Sequence, residues 1–271
     1  MNLSEKKLFL LDLDGTLYLD EKLFDGTPEF LSDIRASGGQ YLFLTNNSSR
    51  GVEAYLAKMR RLGVCAEPED FLTSVDATIS FLRETGGERG VYYVCGTESL
   101  KGQLRGAGFR LSEKPSEDVT CLICGYDTEL TFQKLEDACI LLNRGADFLA
   151  TNPDWVCPTW YGAAPDCGSV CEMLWRATGR RPKVIGKPQP EMALLAMKRC
   201  GYAPRETLLV GDRIYTDIAC GVNAGVDAVL VLSGESTLKT VEQSEIKPTA
   251  VYQDVSDLTA AMRKARGESF Q

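Results

Sequence analysis

Two aspartates stand two residues apart at the end of a short apolar run, a spacing that suits chemistry on one bound group. The run Leu8–Leu11 is followed by Asp12 and Asp14. Successive side chains of a strand point to opposite faces, so residues two apart share a face. Open α/β sheets bind ligands at the carboxyl ends of their strands. Both carboxylates can therefore address one site, although an acidic turn with a capping aspartate would give the same pattern.

A second apolar run, Thr207–Val210, is also followed by carboxylates, here Asp212 and Asp217. This repetition makes an accidental acidic turn the weaker explanation. Four carboxylates gathered at one edge of a sheet would repel one another unless a cation lay among them. Oxygen ligands in small number suit Mg²⁺. We therefore predict that the protein binds Mg²⁺ at this edge.

The composition indicates an ordinary globular protein and excludes several kinds of catalysis. The chain has 271 residues, of which 44% are hydrophobic and 25% charged, and its formal net charge is -8. That charge argues against non-specific binding to nucleic acid or to an anionic membrane. The chain contains no histidine, so histidine-based triads and imidazole metal ligands are excluded. Acid and base chemistry must fall to carboxylates, lysine, tyrosine or cysteine.

The first residues and the cysteines favour a cytoplasmic protein. The first apolar stretch is interrupted at once by Asp12 and Asp14, which fits neither a signal peptide nor a membrane span. Ten cysteines are scattered along the chain, several of them within apolar segments. In a reducing compartment such cysteines are mostly small core residues.

Short apolar strands alternate with helical segments, which predicts a parallel sheet with helical crossovers. The predicted helices are Thr27–Ala36, Gly51–Leu62, Leu100–Ala107, Phe132–Asn143, Ser169–Thr178, Glu191–Cys200 and Thr216–Ala224. A second series of strands and helices begins near Gly86 and ends near Arg181. We therefore predict a core domain in two segments, residues 1–84 and 181–271, interrupted by an α/β domain at residues 85–180.

Four motifs follow one another in a familiar order. They are Asp12-Leu13-Asp14-Gly15-Thr16, Thr45-Asn46-Asn47 after an apolar strand, Gly186-Lys187-Pro188 before a helix, and Gly211-Asp212 with Asp217. In this order the whole chain resembles the haloacid dehalogenase superfamily of phosphohydrolases. The α/β module between Thr45 and Lys187 resembles that of the NagD and p-nitrophenylphosphatase-like subfamily. The resemblance implies an α/β fold, with a Rossmann-like core on a parallel sheet and an inserted α/β cap domain.

The resemblance also implies catalytic roles. Asp12 is expected to be the nucleophile that forms an aspartyl-phosphate, and Asp14 the general acid and then the general base. Lys187 would neutralise charge on the phosphoryl group and on the nucleophile. Thr45 and the backbone N–H of Asn46 would hold phosphate oxygens.

The expected metal ligands come from the same resemblance. Mg²⁺ would be coordinated by Asp12, by the backbone carbonyl of Asp14 and by Asp212. Asp217 would support the metal-bound waters or orient Lys187. Each of these residues also has an ordinary alternative role as a helix cap or a solvated surface residue.

The cap is expected to lie over the core site and to supply substrate contacts. The loop of residues 152–164 is our candidate for part of the cap wall, and the residues predicted to contact substrate are Asn152, Asp154 and Trp160. The aromatic residues of this loop could equally well belong to the cap core or to a dimer contact, since aromatics enrich both. A homodimer formed through the cap is an expectation from the subfamily alone.

These observations predict a Mg²⁺-dependent phosphomonoesterase that acts on small cytosolic phosphometabolites. Nucleotide monophosphates, sugar phosphates, phosphoglycolate and p-nitrophenyl phosphate are the substrate types that the subfamily implies. A phosphomutase or phosphotransferase and a catalytically weak sensor of phosphometabolites are alternatives. A sensor would usually lack Asp12 or Asp14, and both are present. A C-halide hydrolase needs neither Asp14 nor Mg²⁺, so the sequence argues against it.

Overall fold

The computed structural model describes residues 1–159 and 161–268 as an alternation of strands and helices. Trp160, predicted in the cap wall, lies outside the described residues. Numbered in chain order, the elements are β1 (Leu8–Leu11), β2 (Tyr18–Leu19), β3 (Lys22–Leu23), α1 (Thr27–Ala36), β4 (Gln40–Thr45), α2 (Val52–Arg61), β5 (Phe71–Thr73), α3 (Ser74–Glu84), β6 (Val91–Cys95), α4 (Glu98–Gly106), β7 (Arg110–Ser112), β8 (Cys121–Cys124), α5 (Phe132–Asn143), β9 (Asp147–Ala150), β10 (Val156–Thr159), β11 (Gly162–Pro165), α6 (Cys167–Thr178), β12 (Lys183–Val184), α7 (Glu191–Cys200), β13 (Thr207–Gly211), α8 (Ala219–Ala224), β14 (Asp227–Val231), α9 (Leu238–Gln243), β15 (Ala250–Tyr252) and α10 (Val255–Ala265).

The chain divides into two compact units. The core unit comprises Met1–Thr45, Leu56–Leu72 and the described residues from Lys187 onwards, and the inserted unit comprises Asn46–Tyr55 and Thr73–Gly186. The chain thus passes between the units at four places. The domain boundaries predicted from sequence, after residues 84 and 180, both fall within the inserted unit and stay a prediction about domain limits.

The core unit is built on a six-stranded sheet with the order β15-β14-β13-β1-β4-β5. The pairs β14-β15, β13-β14, β1-β13 and β1-β4 are parallel. Every residue of β1 and β13 is buried, which explains why both strands are continuous apolar runs. The chain continues from β1 to one side of the sheet and from β13 to the other. The topological switch point therefore lies between these two strands.

The inserted unit has its own five-stranded parallel sheet, with the order β12-β9-β8-β6-β7. From β6 the chain moves to β7 on one side, and from β8 it moves through β9 to β12 on the other. The switch point of this sheet lies between β6 and β8. Helices α5 and α6 pack together on one face, with apolar residues such as Leu142 and Leu174 in the buried cluster.

Local signals explain where several helices begin and end. The hydroxyls of Thr73, Thr97 and Thr131 each accept a hydrogen bond from a backbone N–H in the first turn of α3, α4 and α5. Gly179 and Gly201 end α6 and α7 in the left-handed conformation that glycine adopts without strain. These caps are short-range, so they set the helix bounds whatever the tertiary packing.

The predicted α/β class with a second, inserted parallel sheet is confirmed. The predicted bounds of α1, α5 and α7 agree with the structure to the residue. The helix predicted over Thr216–Ala224 is in fact a π-helical turn, Ile214–Ile218, followed by α8. Each of the ten cysteines is a free thiol. Along the two described ranges, the helices are too short or too polar to cross a membrane.

Candidate active site

The site begins at the switch point of the core sheet. Leu11 of β1 lies beside Val210 of β13, and the backbone N–H of Asp12 donates to the carbonyl of Val210 at 2.9 Å. Asp212 follows Gly211, the last residue of β13. Both aspartates thus leave neighbouring parallel strands at the same edge, where α/β sheets bind ligands.

Three carboxylates converge at this edge. Asp12, Asp212 and Asp217 each offer one oxygen, and these oxygens all lie within 4.8 Å of one another. Asp217 lies in the π-helical turn Ile214–Ile218, and its Oδ2 accepts a hydrogen bond from the backbone N–H of Arg213 at 3.0 Å. Asp212 and Asp217 are almost fully buried, whereas Asp12 is partly accessible. A bound group can therefore approach the cluster from the side of Asp12.

Lys187 is the counter-ion of this cluster. Its Nζ donates to Oδ1 of Asp12 at 2.5 Å and to Oδ1 of Asp217 at 2.6 Å, and the side chain is 3% exposed. Burial disfavours the charged lysine, but the two aspartates outweigh that effect and raise the pKa of Lys187 far above its usual value. Lys187 is therefore positively charged at neutral pH.

One lysine does not balance three carboxylates. Burial, and next the negative charge of Asp217, raises the pKa of Asp12 well above its usual value, although Lys187 opposes the shift. The same two causes raise the pKa of Asp212 to about 7. Full ionisation of the cluster is therefore costly, and a divalent cation would supply the missing positive charge.

Asp212 has an oxygen available for such a cation. Its Oδ2 accepts a hydrogen bond from the backbone N–H of Glu235 at 2.7 Å. Its Oδ1 is buried and has no hydrogen-bond partner among the described residues. Buried carboxylate oxygens normally have partners, and a set of carboxylate oxygens is the donor set that Mg²⁺ prefers. The residues present therefore fit a bound Mg²⁺.

Two glycines leave room for the Asp212 carboxylate. A β-carbon at Gly234 would overlap Oδ2 of Asp212, and one at Gly15 would press on the same oxygen. Gly15 also has a φ of +90°, which other residues avoid. Ser233 donates from Oγ to the carbonyl of Gly15 at 2.8 Å. The backbone around the cluster is thus held by short contacts that need glycine at both positions.

The loop Ser233–Glu235 is a part of the site that the motif analysis did not identify. It follows β14, the neighbour of β13, and it surrounds the Asp212 carboxylate. A Ser-Gly-Glu sequence directly after a buried apolar strand is the signal that could have found it, because the ends of adjacent parallel strands meet at one edge.

Asp14 lies outside the group of three carboxylates. Its Oδ2 accepts a hydrogen bond from the hydroxyl of Tyr18 at 3.3 Å, and its Oδ1 lies 3.5 Å from Nζ of Lys58. The Asp14 side chain is 53% exposed. Thr16, on the same loop, donates to Oδ2 of Asp12 at 3.4 Å. An oriented and accessible carboxyl such as Asp14 can exchange protons with a bound ester or with water.

The other predicted site residues are divided between the two units. Thr45 is the last residue of β4 in the core unit and is buried. Asn46, the next residue, belongs to the inserted unit together with Asn152 and Asp154. There the Nδ2 of Asn46 donates to the Asp154 carboxylate at 3.2 Å, and the Nδ2 of Asn152 donates to the Asn46 carbonyl at 3.0 Å. The structure thus brings these three residues together in a buried group of their own.

Two family models together match more than half of the chain. The model of a haloacid dehalogenase-like hydrolase matches residues 9–110. A second model, described as HAD-hydrolase-like, matches residues 184–258. The matched segments include Asp12, Lys187 and Asp212.

Known phosphatases are similar along almost the whole chain. An acid sugar phosphatase of Staphylococcus aureus is 33% identical over 262 residues, which are 97% of this chain and 100% of that protein. The crystal structure of a 4-nitrophenylphosphatase from Thermotoga maritima is 36% identical, with 97% of this chain and 99% of that chain covered and a TM-score of 0.91. A glycerol phosphate phosphatase from Mycobacterium tuberculosis, crystallised in complex with magnesium, is 30% identical over 95% of this chain and 78% of that chain, with a TM-score of 0.89.

Proposed function

This chain belongs to the haloacid dehalogenase-like hydrolase family, among its NagD and p-nitrophenylphosphatase-like phosphatases, and we propose that it hydrolyses small phosphomonoesters through an aspartyl-phosphate. One observation carries the proposal. Asp12 stands at the switch point of the core sheet, partly accessible, with Lys187 bound to one of its oxygens and two further carboxylates beside it. This arrangement suits a carboxylate that attacks a negatively charged group.

In the first half-reaction, a carboxylate oxygen of Asp12 attacks the phosphorus atom of the ester. The new bond joins Asp12 to phosphorus, while the bond between phosphorus and the alcohol oxygen breaks. Asp14 gives its proton to that oxygen, so that the product leaves as a neutral alcohol. Lys187 donates hydrogen bonds to Asp12 and Asp217, which keeps a positive charge beside the phosphoryl group as charge builds up.

In the second half-reaction, a water molecule attacks the phosphorus atom of the aspartyl-phosphate. Asp14, now a carboxylate, takes a proton from that water. The bond between phosphorus and Asp12 breaks, and inorganic phosphate and the free Asp12 carboxylate result. Thr45, at the end of β4, and the backbone N–H of Asn46 are the proposed donors to the phosphate oxygens throughout.

The proposed metal ion is Mg²⁺, which Asp12, the backbone carbonyl of Asp14 and Asp212 would hold, while Asp217 would support the metal-bound waters or orient Lys187. When bound, Mg²⁺ lowers the repulsion between the Asp12 carboxylate and the phosphoryl group. The free Oδ1 of Asp212 and the mutual proximity of the three carboxylates support this choice.

The proposed substrates are small phosphorylated metabolites of the cytoplasm. The similar proteins are described as phosphatases of sugar phosphate, 4-nitrophenyl phosphate and glycerol phosphate. Their common part is a phosphomonoester of a small alcohol or phenol. Nucleotide monophosphates and phosphoglycolate remain within the same chemical class, and the leaving group is what a substrate panel must identify.

The test is the release of phosphate from a panel of phosphomonoesters, with Mg²⁺ and with EDTA. We expect metal-dependent release by the wild type and no release by Asp12→Asn, which has lost the nucleophile but keeps a side chain of the same shape. Asp118→Asn is the matched control, because Asp118 is exposed in the inserted unit, and it should keep full activity.

Three outcomes would contradict the proposal. Hydrolysis by Asp12→Asn at an appreciable rate would refute the nucleophile assignment. Isomerised phosphoesters in place of free phosphate would indicate a phosphomutase. No turnover of any ester, with saturable binding of phosphate, would indicate a sensor.

A further inference from the structure

The segment of residues 46–49 directly follows the proposed phosphate-binding Thr45 and is held by a buried polar network of the inserted unit. Asn46, Ser48, Asn152 and Asp154 are all less than one-tenth exposed. Buried polar groups are costly unless they are paired, so a network of this kind specifies one conformation of the backbone that it binds. The network therefore fixes the backbone conformation of residues 46–49.

Asn46 is bound through both its side chain and its backbone. Its Nδ2 donates to the two oxygens of Asp154 at 3.3 and 3.2 Å. Its carbonyl accepts from Oγ of Ser74 at 2.8 Å and from Nδ2 of Asn152 at 3.0 Å. Asn152 is itself oriented, because its Oδ1 accepts from the backbone N–H of Asp154 at 3.0 Å. These bonds restrict the peptide plane on the carboxyl side of Asn46 and the side chain of that residue.

Ser48 and Ser49 lie at the switch point of the second sheet. Oγ of Ser48 accepts from the backbone N–H of Tyr126, just beyond β8, at 2.9 Å. The carbonyl of Ser49 accepts from Oγ of Thr97, just beyond β6, at 3.0 Å. Ligands of α/β sheets bind at this position. Here the bound group is a segment of the same chain.

Two glycines show how closely the segment is held. A β-carbon at Gly125 would lie 2.7 Å from Oγ of Ser48, and one at Gly186 would lie 2.6 Å from Oδ1 of Asn46. Both distances are too short for a real contact, so both positions need glycine while the segment keeps this place. Gly186 is also the residue before Lys187, and its N–H donates to the carbonyl of Thr151 at 2.9 Å. The same network therefore holds the residues that adjoin Thr45 and Lys187 in the chain.

We propose that Asp154 and Asn152 are positioning residues, which fix the side chain and the carbonyl of Asn46 and thereby the place of its backbone nitrogen, whose N–H is proposed to bind the phosphoryl group. The inference rests on the proposed function, since it assigns Asn46 to phosphate binding. It differs from the sequence-based prediction that Asn152 and Asp154 contact the substrate as part of a cap wall, which would lie near the leaving group. A positioning role acts on the part that all phosphomonoesters share, whereas a leaving-group contact acts on the part in which they differ.

This difference defines the experiment. Asp154→Ala and Asn152→Ala are compared with the wild type on at least five phosphomonoesters with different leaving groups. We expect kcat/KM to fall by roughly 10- to 100-fold, because a small misplacement of a binding group has an effect of that size. The factor should be similar for every ester. The inhibition constant of inorganic phosphate should rise in both variants, since phosphate has no leaving group.

A reversal of the pair separates positioning from simple loss of stability. Asn46→Asp places two carboxylates face to face and should lower kcat/KM. The double variant Asn46→Asp with Asp154→Asn restores one amide facing one carboxylate, and we expect it to regain at least about tenfold of the loss. Asp137→Asn is the control, because Asp137 is a buried carboxylate of the same unit that accepts from the hydroxyl of Tyr93 at 2.8 Å. It should lower the melting temperature and leave kcat/KM unchanged.

Amide hydrogen exchange of residues 46–49 gives a readout without turnover. Exchange should be faster in Asp154→Ala than in the wild type and unchanged in Asp137→Asn. A loss confined to some esters, or no rescue by the double variant, would overturn the positioning role. Unchanged exchange in Asp154→Ala would overturn it as well. If the wild type hydrolyses no ester, the proposed function fails. The positioning role is then tested without turnover, by amide hydrogen exchange and by direct measurement of the affinity for inorganic phosphate.

Discussion

Replacement of Lys187 by methionine tests whether one ammonium group holds the carboxylate cluster together. The side chain of Lys187 is 3% exposed and pairs with Asp12 and Asp217 at 2.5 and 2.6 Å. Methionine keeps most of the volume and removes the charge. Each hydrogen bond to a buried charged group contributes about 1.5–3 kcal/mol. Removal of one partner of a buried ion pair costs about 3–5 kcal/mol. We therefore expect the free energy of unfolding of Lys187→Met to fall by about 3–5 kcal/mol.

The assay is urea unfolding of wild type and variant at pH 7.5 in EDTA, followed by circular dichroism. Lys239→Met is the control, because Lys239 is exposed on α9, and it should change stability by less than about 0.5 kcal/mol. Addition of Mg²⁺ should return part of the lost stability, since a cation among the carboxylates replaces the missing positive charge. Hydrolysis should fall by at least roughly 100-fold in all conditions.

A loss of less than about 1 kcal/mol in EDTA would refute this reasoning, because it would mean that the Asp12 and Asp217 carboxylates do not depend on Lys187 for compensation of charge. A loss that Mg²⁺ does not reduce would place the cation elsewhere.

Three further predictions follow from particular side chains. Mg²⁺ should raise the melting temperature of the wild type by a few degrees and that of Asp212→Asn by much less, in a thermal shift measured against EDTA. Gly234→Ala should weaken this Mg²⁺ effect, because its β-carbon would overlap the Asp212 carboxylate, whereas Gly102→Ala, which meets no atom within 4 Å inside α4, should stabilise the protein by about 0.5–1 kcal/mol in urea unfolding. Burial tends to raise the pKa of Asp33, but Arg263 of α10 and Arg266, just after that helix, outweigh it and hold that pKa below its usual value. Asp33→Asn should therefore lower stability at neutral pH, and the difference should vanish as the pH falls below about 3.9 and through the lowered pKa, in unfolding curves recorded from pH 7 to pH 2.

The fold could be predicted where the signal is local. Helices α1, α5 and α7 have a clear apolar periodicity with caps or glycines at their ends, and their bounds were predicted to the residue. The hairpin β10-β11 was not predicted, because the strand Gly162–Pro165 is short, largely exposed and without alternation. For the π-helical turn before α8, the sequence predicts ordinary helix. Its hydrogen-bond pattern depends on the residues packed around Asp217, and the apolar periodicity of the sequence carries no information about them.

In the candidate site, likewise, features set by the local sequence could be predicted, and contacts between distant residues could not. The positions of Asp12 and Asp212 at strand ends could be read from apolar runs that stop at a carboxylate. The double ion pair of Lys187 could not, because its partners Asp12 and Asp217 lie 175 and 30 residues away in the sequence. The bond between Asn46 and Asp154 likewise joins residues 108 apart. A motif indicates that a residue is polar and at an edge, but only the folded chain determines which other residue it meets.

The switch points of the two sheets are occupied by different kinds of side chain. In the core sheet, the edge between β1 and β13 carries charged side chains, and these are the groups proposed to bind Mg²⁺ and the phosphoryl group. In the second sheet, the edge between β6 and β8 binds residues 48–49 through a serine hydroxyl and a serine carbonyl, with neutral donors on both sides. A parallel sheet leaves unpaired N–H groups and helix starts at its carboxyl edge, and these must be satisfied by something. In the inserted unit, the segment that follows Thr45 accepts hydrogen bonds from the backbone N–H of Tyr126 and from the hydroxyl of Thr97. The carboxyl edge of the second sheet therefore binds a segment of its own chain. This binding fixes the backbone next to the residue proposed to hold phosphate.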